Sequence, residues 1–329
     1  MPALPLSMAI SNYDHVSDVV SGRVRPEGIE LNAMELPIEE VFFRMYNFLE
    51  WDIAEFSMAK YCSMTAAGTA PFGALPVFPS RVFRQSAIYV AKSANITDAR
   101  DLAGKRIGVP EWAQTAGVYA RGFLQHQFGL QLRDVHWFQS GVNQAGRHEK
   151  VALSLPEGVS ITAVEDRSLN QMLLDGDLDA IMSARDPIAF TAHDPRILRL
   201  WPNYQAVEEK YFAETGVFPI MHAVVVRNST LERHPWVAMN LFRAFEEAKN
   251  NSLVRLASIV NSRIAIPWSH VAYERAETVL GKDFWPYGIE ANRRTLKTFL
   301  QFCREQGITQ RDMAVEELFP QEVSRFVRV

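Results

Sequence analysis

The stretch DLAGKRIGVPEWAQTAG, residues 101–117, decides the fold of this chain. Its residues 106–109 predict a short buried strand, Pro110 opens a loop, and apolar residues recur at helical spacing from Ala113 to Phe128. Gly129 follows, in the position where a glycine commonly ends a helix. A strand, a loop and a helix in this order are the repeating unit of an α/β domain, in which ligands bind beyond the carboxyl ends of the strands.

The same alternation extends from this stretch in both directions along the chain. Apolar or period-two runs predict further strands at residues 4–10, 28–35, 52–59, 87–91, 134–139, 179–183 and 218–226. Helical spacing predicts a helix over 38–51, a second helix capped by Ser168, and mostly helices after Leu231.

We therefore predict an α/β fold with two lobes, each built on a mixed or mostly parallel sheet flanked by helices. Residues 1–88 and 217–329 form the first lobe, and residues 89–216 form a second lobe inserted into it. Strands at 87–91 and 218–226 are the two crossovers, and the ligand site is expected in the cleft between the lobes.

Composition narrows the partners of this chain. Its 329 residues suit two domains, because a domain has roughly 150 residues. A net charge of −4 without a basic block argues against a nucleic-acid partner, and no apolar run approaches the ~18 residues of a membrane span. A secretory signal would require a positively charged residue near the N-terminus, but no Lys or Arg precedes Arg23. The two cysteines do not indicate a disulfide framework. We expect a cytoplasmic protein.

Several longer stretches carry a more specific pattern. DLAGKRIGVP together with SLNQMLLDGDLDAIMS (168–183) resembles the type 2 periplasmic-binding-protein fold. The chain also resembles the 4,5-dihydroxyphthalate decarboxylase family over most of its length, from about residue 6 to about residue 285. The stretches that carry this resemblance are WDIAEFSMAKY (51–61), PVFPSRVFRQSAIYV (76–90), GVPEWAQTAGVYARGFLQHQFGL (108–130), TGVFPIMHAVVVR (215–227) and HPWVAMNLFRAFEEAK (234–249).

The resemblance implies a cytosolic, homo-oligomeric enzyme of aromatic catabolism whose active site occupies a solute-binding cleft. Its partner would be a small aromatic carboxylate, most simply 4,5-dihydroxyphthalate, converted to 3,4-dihydroxybenzoate and CO₂. Each carboxylate of this substrate is para to a hydroxyl, so deprotonation of that hydroxyl and protonation of the ring carbon allow CO₂ to leave. This chemistry requires no organic or redox cofactor, and none is expected.

Such a reaction requires a cationic clamp for the carboxylate that is retained. Arginine pairs bidentately with a carboxylate, and Arg81 and Arg84 stand three residues apart just before a crossover strand. We take both as clamp candidates, with a preference for Arg81. Arg147 and Arg185 each follow a predicted strand and are further candidates. Surface arginines beside a strand are the alternative interpretation.

The reaction also requires groups that move protons. Glu55 lies in an otherwise apolar strand and His222 in another, at the second crossover, so both are catalytic candidates. Ser57 lies on the same strand face as Glu55 and is expected to hydrogen-bond a phenol. A structural ion pair for Glu55 and a hydrogen-bonded core histidine are the alternatives.

The turn before the helix at 113–128 supplies the remaining candidates. A helix N-terminus favours anions, so Glu111, Gln114 and Thr115 are predicted to bind substrate, although helix capping would also explain Glu111. A divalent metal held by residues distant in sequence stays open. Its candidate ligands are Glu55, Glu111, Asp186 and His222.

Three other functions stay open on the sequence. They are a non-catalytic solute-binding protein of a transporter, a decarboxylase of another aromatic acid, and a cytosolic sensor of aromatic acids. No nucleotide-binding glycine motif and no nucleophile elbow occurs in the chain.

Overall fold

Two six-stranded sheets organise the protein in the computed structural model, which describes residues 2–261 and 263–324. The strands are β1 (Leu4–Ile10), β2 (Ile29–Glu35), β3 (Ile53–Ser57), β4 (Phe72–Ala74), β5 (Ser80–Arg81), β6 (Ile88–Ala91), β7 (Arg106–Val109), β8 (His136–Gln139), β9 (Ile161–Ala163), β10 (Ala180–Met182), β11 (Ile197–Arg199) and β12 (Ile220–Arg227). The first sheet has the order β2-β1-β3-β12-β4, with β5 also on β12, and the second has the order β11-β6-β10-β7-β8-β9.

Both sheets are mixed, as predicted. In the first sheet β1 runs parallel to β2 and β3, while β12 is antiparallel to β3, β4 and β5. In the second sheet β7 is parallel to β10 and β8, and β6 is antiparallel to β10 and β11. The expected crossover strands are therefore present as β6 in the second sheet and β12 in the first. The exact lobe limits at 88/89 and 216/217 stay a prediction.

The helices cover the sheets and fill much of the C-terminal part. The α-helices are α1 (Ser17–Val20), α2 (Ile38–Phe48), α3 (Met58–Ala66), α4 (Thr115–Phe128), α5 (Leu169–Asp175), α6 (Ile188–Thr191), α7 (Tyr204–Thr215), α8 (Asn228–Arg233), α9 (Trp236–Ala257), α10 (Ser269–Leu280), α11 (Arg293–Glu305) and α12 (Gln321–Ser324). Short 3₁₀ helices lie at Asp14–Val16, Gln85–Ala87, Lys92–Ala94, Ala99–Leu102, Leu132–Asp134, Glu290–Asn292 and Val315–Leu318. Within the described residues no helix is long and apolar enough to cross a membrane.

The strand predicted at 52–59 is too long, and this correction affects the site. The strand ends at Ser57, and α3 begins at Met58. The buried residues continue without a break from the strand into the first turn of α3, so burial alone does not mark the boundary. The first turn of α3 therefore projects from the end of β3, which brings Lys60 to the same edge of the sheet.

The helix α4 is fixed from behind by the C-terminal part of the chain. Tyr119 stacks on Phe299 of α11 with ring centroids 4.7 Å apart. A Cβ atom on Gly122 would lie 2.2 Å from the Phe302 ring, so only glycine permits this close helix contact. The buried Gln306 accepts a hydrogen bond from Arg121 Nε at 2.8 Å and donates one to the Val118 carbonyl at 2.9 Å. These contacts position the first turn of α4.

Candidate active site

A cleft lies between elements of the two sheets, and it has two adjoining parts. The inner cavity has a volume of about 330 Å³ and is lined from β3, β5 and β12 of the first sheet and from the first turn of α4. The outer cavity, of about 690 Å³, is lined largely by the loop 141–147. Both cavities share five lining residues, which are Glu39, Phe42, Lys60, Arg147 and Arg185.

A histidine and a buried carboxylate form a pair at the inner cavity. Nδ1 of His222 on β12 lies 2.6 Å from Oε1 of Glu55 on the neighbouring β3. Glu55 has no exposed surface, and it also accepts hydrogen bonds from Tyr13 Oη at 2.6 Å and from the Ser11 backbone N–H at 3.0 Å. Because a carboxylate accepts, His222 Nδ1 carries the proton. This leaves Nε2 without a protein partner among the described residues, on a side chain that lines the cavity.

Tyr13 is a member of this site that the sequence did not single out. It follows β1, lines the inner cavity and donates to Glu55. Burial raises the pKa of its hydroxyl far above the usual value, and the adjacent Glu55 carboxylate raises it further. Tyr13 therefore stays neutral and remains a donor. Its signal in the sequence is weak, a tyrosine in the turn SNYD at the carboxyl end of a strand.

Arg84 supplies a cation to the inner cavity. Its Nε donates to Met221 Sδ at 3.1 Å, and no carboxylate in the described part of the chain pairs with it. Burial lowers the pKa of Arg84 to about 10, which leaves the guanidinium charged at neutral pH. Arg84 is half-buried, and Glu208, the carboxylate whose charge acts on it, forms no ion pair with it. The guanidinium can therefore pair with an anionic ligand in the cavity.

Glu111 carries a second concentration of charge at the cleft. Its Oε2 lies 2.8 Å from Lys60 Nζ, and its Oε1 lies 2.6 Å from Arg147 Nε and 3.9 Å from Lys150 Nζ. Burial by itself would raise the pKa of Glu111, but the Lys60 ammonium and the Arg147 guanidinium outweigh burial and lower it. Three cations share this one carboxylate, and Glu149 also acts on Lys150. Lys60 and Lys150 were not among the residues selected from the sequence.

The chain is similar over most of its length to proteins of known activity. A 4,5-dihydroxyphthalate decarboxylase of Comamonas testosteroni is 37% identical over 320 residues, which are 97% of this chain and 97% of that protein. This chain belongs to the 4,5-dihydroxyphthalate decarboxylase family. A second enzyme of that name, from Pseudomonas putida, is 41% identical over 213 residues, 64% of this chain and 83% of the relative. No family model matches the chain.

Solved structures confirm the predicted fold of this decarboxylase-family chain. The periplasmic aliphatic sulphonate binding protein SsuA of Escherichia coli aligns with a TM-score of 0.54 at 13% identity, over 98% of this chain and 99% of that one. The desulfurization enzyme DSZB aligns with a TM-score of 0.51 at 13% identity, over 96% and 97%. At such identities the likeness concerns the fold alone, which is the two-lobed solute-binding architecture.

The structure corrects the preference for Arg81 as a clamp in this decarboxylase-family chain. Arg81 is 4% exposed and does not line either cavity. Its Nη2 donates to Asn292 Oδ1 at 2.5 Å and to the Phe218 carbonyl at 3.3 Å, and its Nη1 donates to the Pro286 carbonyl at 3.2 Å. Both terminal nitrogens of the guanidinium are thus used in attaching β5 to the C-terminal segment and to Phe218, while the buried Nε has no hydrogen-bond partner among the described residues. Of the two arginines, only Arg84 faces the cleft.

Three further candidates line the inner cavity, and two of them, Ser57 and Thr115, contact each other across it. Ser57 Oγ at the end of β3 lies 3.1 Å from Thr115 Oγ1 at the start of α4, and Thr115 Oγ1 also accepts from the Ala59 backbone N–H at 3.1 Å. Gln114 Oε1 accepts from the Ala184 backbone N–H at 3.4 Å. All three candidate side chains line the inner cavity, although each already has a protein partner.

Arg185 lines both cavities but is paired across the cleft. Its Nε donates to Oε1 of Glu39 on α2 at 2.8 Å. Both side chains are largely exposed, so this pair contributes little to stability, about 0–1 kcal/mol. Because Glu39 neutralises its charge, Arg185 is less suited to bind a substrate carboxylate than the sequence predicts.

The four possible metal ligands do not meet. Among residues 2–261 and 263–324 no group of three or more His, Cys, Asp and Glu side chains is placed to hold a metal ion. Glu55 and His222 contact each other, Glu111 is surrounded by cations, and Asp186 accepts a hydrogen bond from Tyr89.

Proposed function

We propose that this chain decarboxylates 4,5-dihydroxyphthalate to 3,4-dihydroxybenzoate and CO₂ by acid–base catalysis in the inner cavity. The observation that carries the proposal is the meeting of His222, oriented by Glu55, with the unpaired cation Arg84 in one cavity. The two relatives that carry the name of this activity support it. A cavity of about 330 Å³ also suits a ligand with a single ring.

Arg84 and His222 have complementary roles in this proposal. The Arg84 guanidinium binds the carboxylate that is retained, since its parallel N–H groups match the two carboxylate oxygens. The leaving carboxylate is ortho to the retained one, so the ring carbon that must be protonated lies beside Arg84. Nε2 of protonated His222 donates a proton to that carbon, the bond to CO₂ breaks, and its electron pair restores the aromatic ring.

Glu55 acts through His222 rather than on the substrate. It has no exposed surface and does not line the cavity, so it is a positioning residue. By accepting a hydrogen bond from Nδ1–H it fixes the tautomer and the orientation of the ring, and its charge stabilises the imidazolium. The edge-on contact of Phe42, with ring centroids 4.9 Å apart, holds the imidazole from a second side.

The residues that bridge the cleft close it around the substrate. We propose that the lobes at 1–88 with 217–329 and at 89–216 move relative to one another, as in hinged binding proteins. The Ser57–Thr115 hydrogen bond and the Arg185–Glu39 pair then hold the closed form. Closure excludes water, which disfavours the charged leaving carboxylate more than neutral CO₂.

A direct assay tests the proposal. Purified protein is incubated with 4,5-dihydroxyphthalate, phthalate and single-carboxylate analogues, with and without a chelator, while CO₂ and ultraviolet absorbance are recorded. CO₂ release from 4,5-dihydroxyphthalate, lost in His222→Gln and kept in a His136→Gln control, supports it, because His136 is exposed outside the cavities. Binding without turnover favours a transport or sensor protein, turnover of another acid alone redefines the substrate, and loss with chelator adds a metal.

The cytoplasmic location and the homo-oligomeric state belong to the same proposal. Seven large apolar side chains between Val254 and Val271 are exposed, and such patches typically mark interaction surfaces. They are Val254, Ile259, Val260, Ile264, Ile266, Trp268 and Val271. Light scattering of the purified protein tests the oligomer, and fractionation against compartment markers tests the location.

A further inference from the structure

Lys60 lies where the inner and outer cavities meet. Three cations line both cavities, and the Lys60 side chain is 8% exposed, whereas those of Arg147 and Arg185 are 34% and 64% exposed. It is the third residue of α3, whose first turn is otherwise buried. A lysine is seldom buried without an anion, because desolvation of its charge is costly. The position therefore needs an explanation.

Glu111 compensates this charge only in part. It is shared among Lys60, Arg147 and Lys150, so Lys60 does not have this carboxylate to itself. An ammonium has three N–H donors, and the Glu111 carboxylate is the acceptor within hydrogen-bonding distance of Lys60 in the described part of the chain. Two donors of Lys60 remain for a ligand in the cleft.

An ammonium beside a carboxylate is complementary to a particular pair of ligand oxygens. Lys60 Nζ favours a negative oxygen, and Glu111 Oε2, 2.8 Å away, has a second lone pair that can accept from a ligand hydroxyl. A substrate carboxylate offers two acceptors and no donor for Glu111. A catechol that has lost one proton offers what the pair requires, a phenolate oxygen next to a hydroxyl.

We propose that Lys60 binds the ionised hydroxyl of the catechol ring while Glu111 accepts a hydrogen bond from the neighbouring hydroxyl. This inference rests on the decarboxylase function proposed above, and it assigns Lys60 as a catalytic residue. Arg84 and His222 line the inner cavity together with Glu111, whereas Lys60 extends to the outer cavity as well, and we place the two ends of the ring accordingly. The carboxylates are then held at Arg84 and the hydroxyls at Lys60.

The assignment completes the reaction. The O–H bond para to the leaving carboxylate breaks, its proton passes to solvent, and its electron pair stays on the oxygen beside Lys60. These electrons move into the ring as a carbonyl forms, and the ring carbon takes a proton from His222. The carbon–CO₂ bond then breaks, its electrons restore the ring and the phenolate, and His222 regains a proton from solvent. Lys60 acts by populating the phenolate at neutral pH.

Titration of a bound catechol tests this inference on the unaltered protein. Ultraviolet spectra of 3,4-dihydroxybenzoate, which absorbs differently as a phenolate, are recorded against pH with and without excess protein. We expect the first phenol ionisation of the bound ligand to fall at least one pH unit below that of the free ligand. An equal or higher midpoint overturns the assignment.

Variants separate phenolate binding from carboxylate binding. Lys60→Met should lower kcat by roughly 100-fold, in the range of lost electrostatic stabilisation, while the Kd of phthalate, which has no hydroxyl, changes less than threefold. The matched control is Lys249→Met, which removes a buried lysine paired with Asp283 outside the cleft and should keep kcat. Equal weakening of phthalate and catechol binding would place a carboxylate at Lys60 and refute the inference.

The two proposals fail in different ways. Wild-type protein that does not release CO₂ refutes the proposed function. Wild-type protein that releases CO₂ but binds the catechol without shifting its ionisation refutes the role of Lys60 alone. If Lys60→Met does not fold, the titration of the unaltered protein still decides.

Discussion

His222 Nδ1 and Glu55 Oε1 lie 2.6 Å apart across the β12–β3 pair, with the histidine at the cavity and the carboxylate fully buried behind it. The arrangement matches the imidazole–carboxylate half of a catalytic triad, in which the carboxylate sets the tautomer of the ring. The two residues are 167 positions apart in the sequence. The antiparallel pairing of β12 with β3 brings them into contact.

Replacement of Glu55 tests this relationship. Glu55→Gln should lower kcat by about 100-fold or more with little change in KM, because the neutral amide does not stabilise the imidazolium. Tyr13→Phe, which removes one donor to the same oxygen, should lower kcat less. Steady-state kinetics with the two variants measures both effects. A normal kcat in Glu55→Gln would show that His222 does not need its partner.

Arg81 and Arg84 form a natural pair of test and control. Arg84→Met should raise the Kd of phthalate by about 100-fold, since it removes a charged bidentate donor from a half-buried site. Arg81→Met should leave that Kd near normal but lower Tm, because Arg81 holds the C-terminal segment through Asn292 and Pro286. Calorimetric titration and thermal melts measure the two quantities. The opposite pattern would return the clamp to Arg81.

His15 makes the stability of the protein depend on pH. Burial lowers the pKa of its imidazole to about 4, although the hydrogen bond from Nε2 to the Pro79 carbonyl opposes this shift. The unfolded chain binds this proton near pH 6.5, whereas the folded protein does not. His15 therefore makes its full contribution to the free energy of unfolding above that pH. This contribution should fall by about 3 kcal/mol as the pH drops from 6.5 to 4.

His15→Gln provides the comparison for this pH dependence. Its amide can still donate to Pro79 but does not titrate, so its unfolding free energy should vary less over the same pH window. Urea unfolding at several pH values from 4 to 7 measures the difference. Parallel curves for the two proteins would assign the pH dependence to other groups.

The close contact between α4 and α11 lies outside the cleft, but a substitution there should affect both stability and turnover. Gly122→Ala places a methyl group against the Phe302 ring and should cost about 1–3 kcal/mol of stability. Since α4 carries Thr115 at its first turn, kcat should fall as well. The double variant Gly122→Ala, Phe302→Leu should recover much of both losses. Denaturant unfolding and kinetics together would show whether the ring contact is responsible.

Much of the fold follows from local pattern. The strands at 4–10 and 106–109 were predicted with the limits that the structure has, and Ser168 caps α5 as expected, accepting from the Gln171 backbone N–H. These elements are read correctly because their apolar period and their capping residues are local signals. The boundary between β3 and α3 is not predicted correctly, because buried residues continue through it without interruption.

The composition of the site depends on contacts that no local pattern contains. Glu111 was chosen for its place before a helix, but its cations come from 51 positions earlier and 36 positions later, at Lys60 and Arg147. Which of two arginines faces the cleft depends on the C-terminal segment that covers Arg81. Tyr13 became visible only when β1 was placed beside β3.

The buried amide of Gln306 links the back of the protein to its chemistry. The side-chain amide bonds to Arg121 and to the Val118 carbonyl, and the backbone carbonyl of Gln306 accepts from Trp112 Nε1. All three partners lie within six residues of Thr115, which lines the inner cavity. Loss of this amide would loosen the wall of the pocket from behind. Turnover would then depend on a side chain that never meets the aromatic acid.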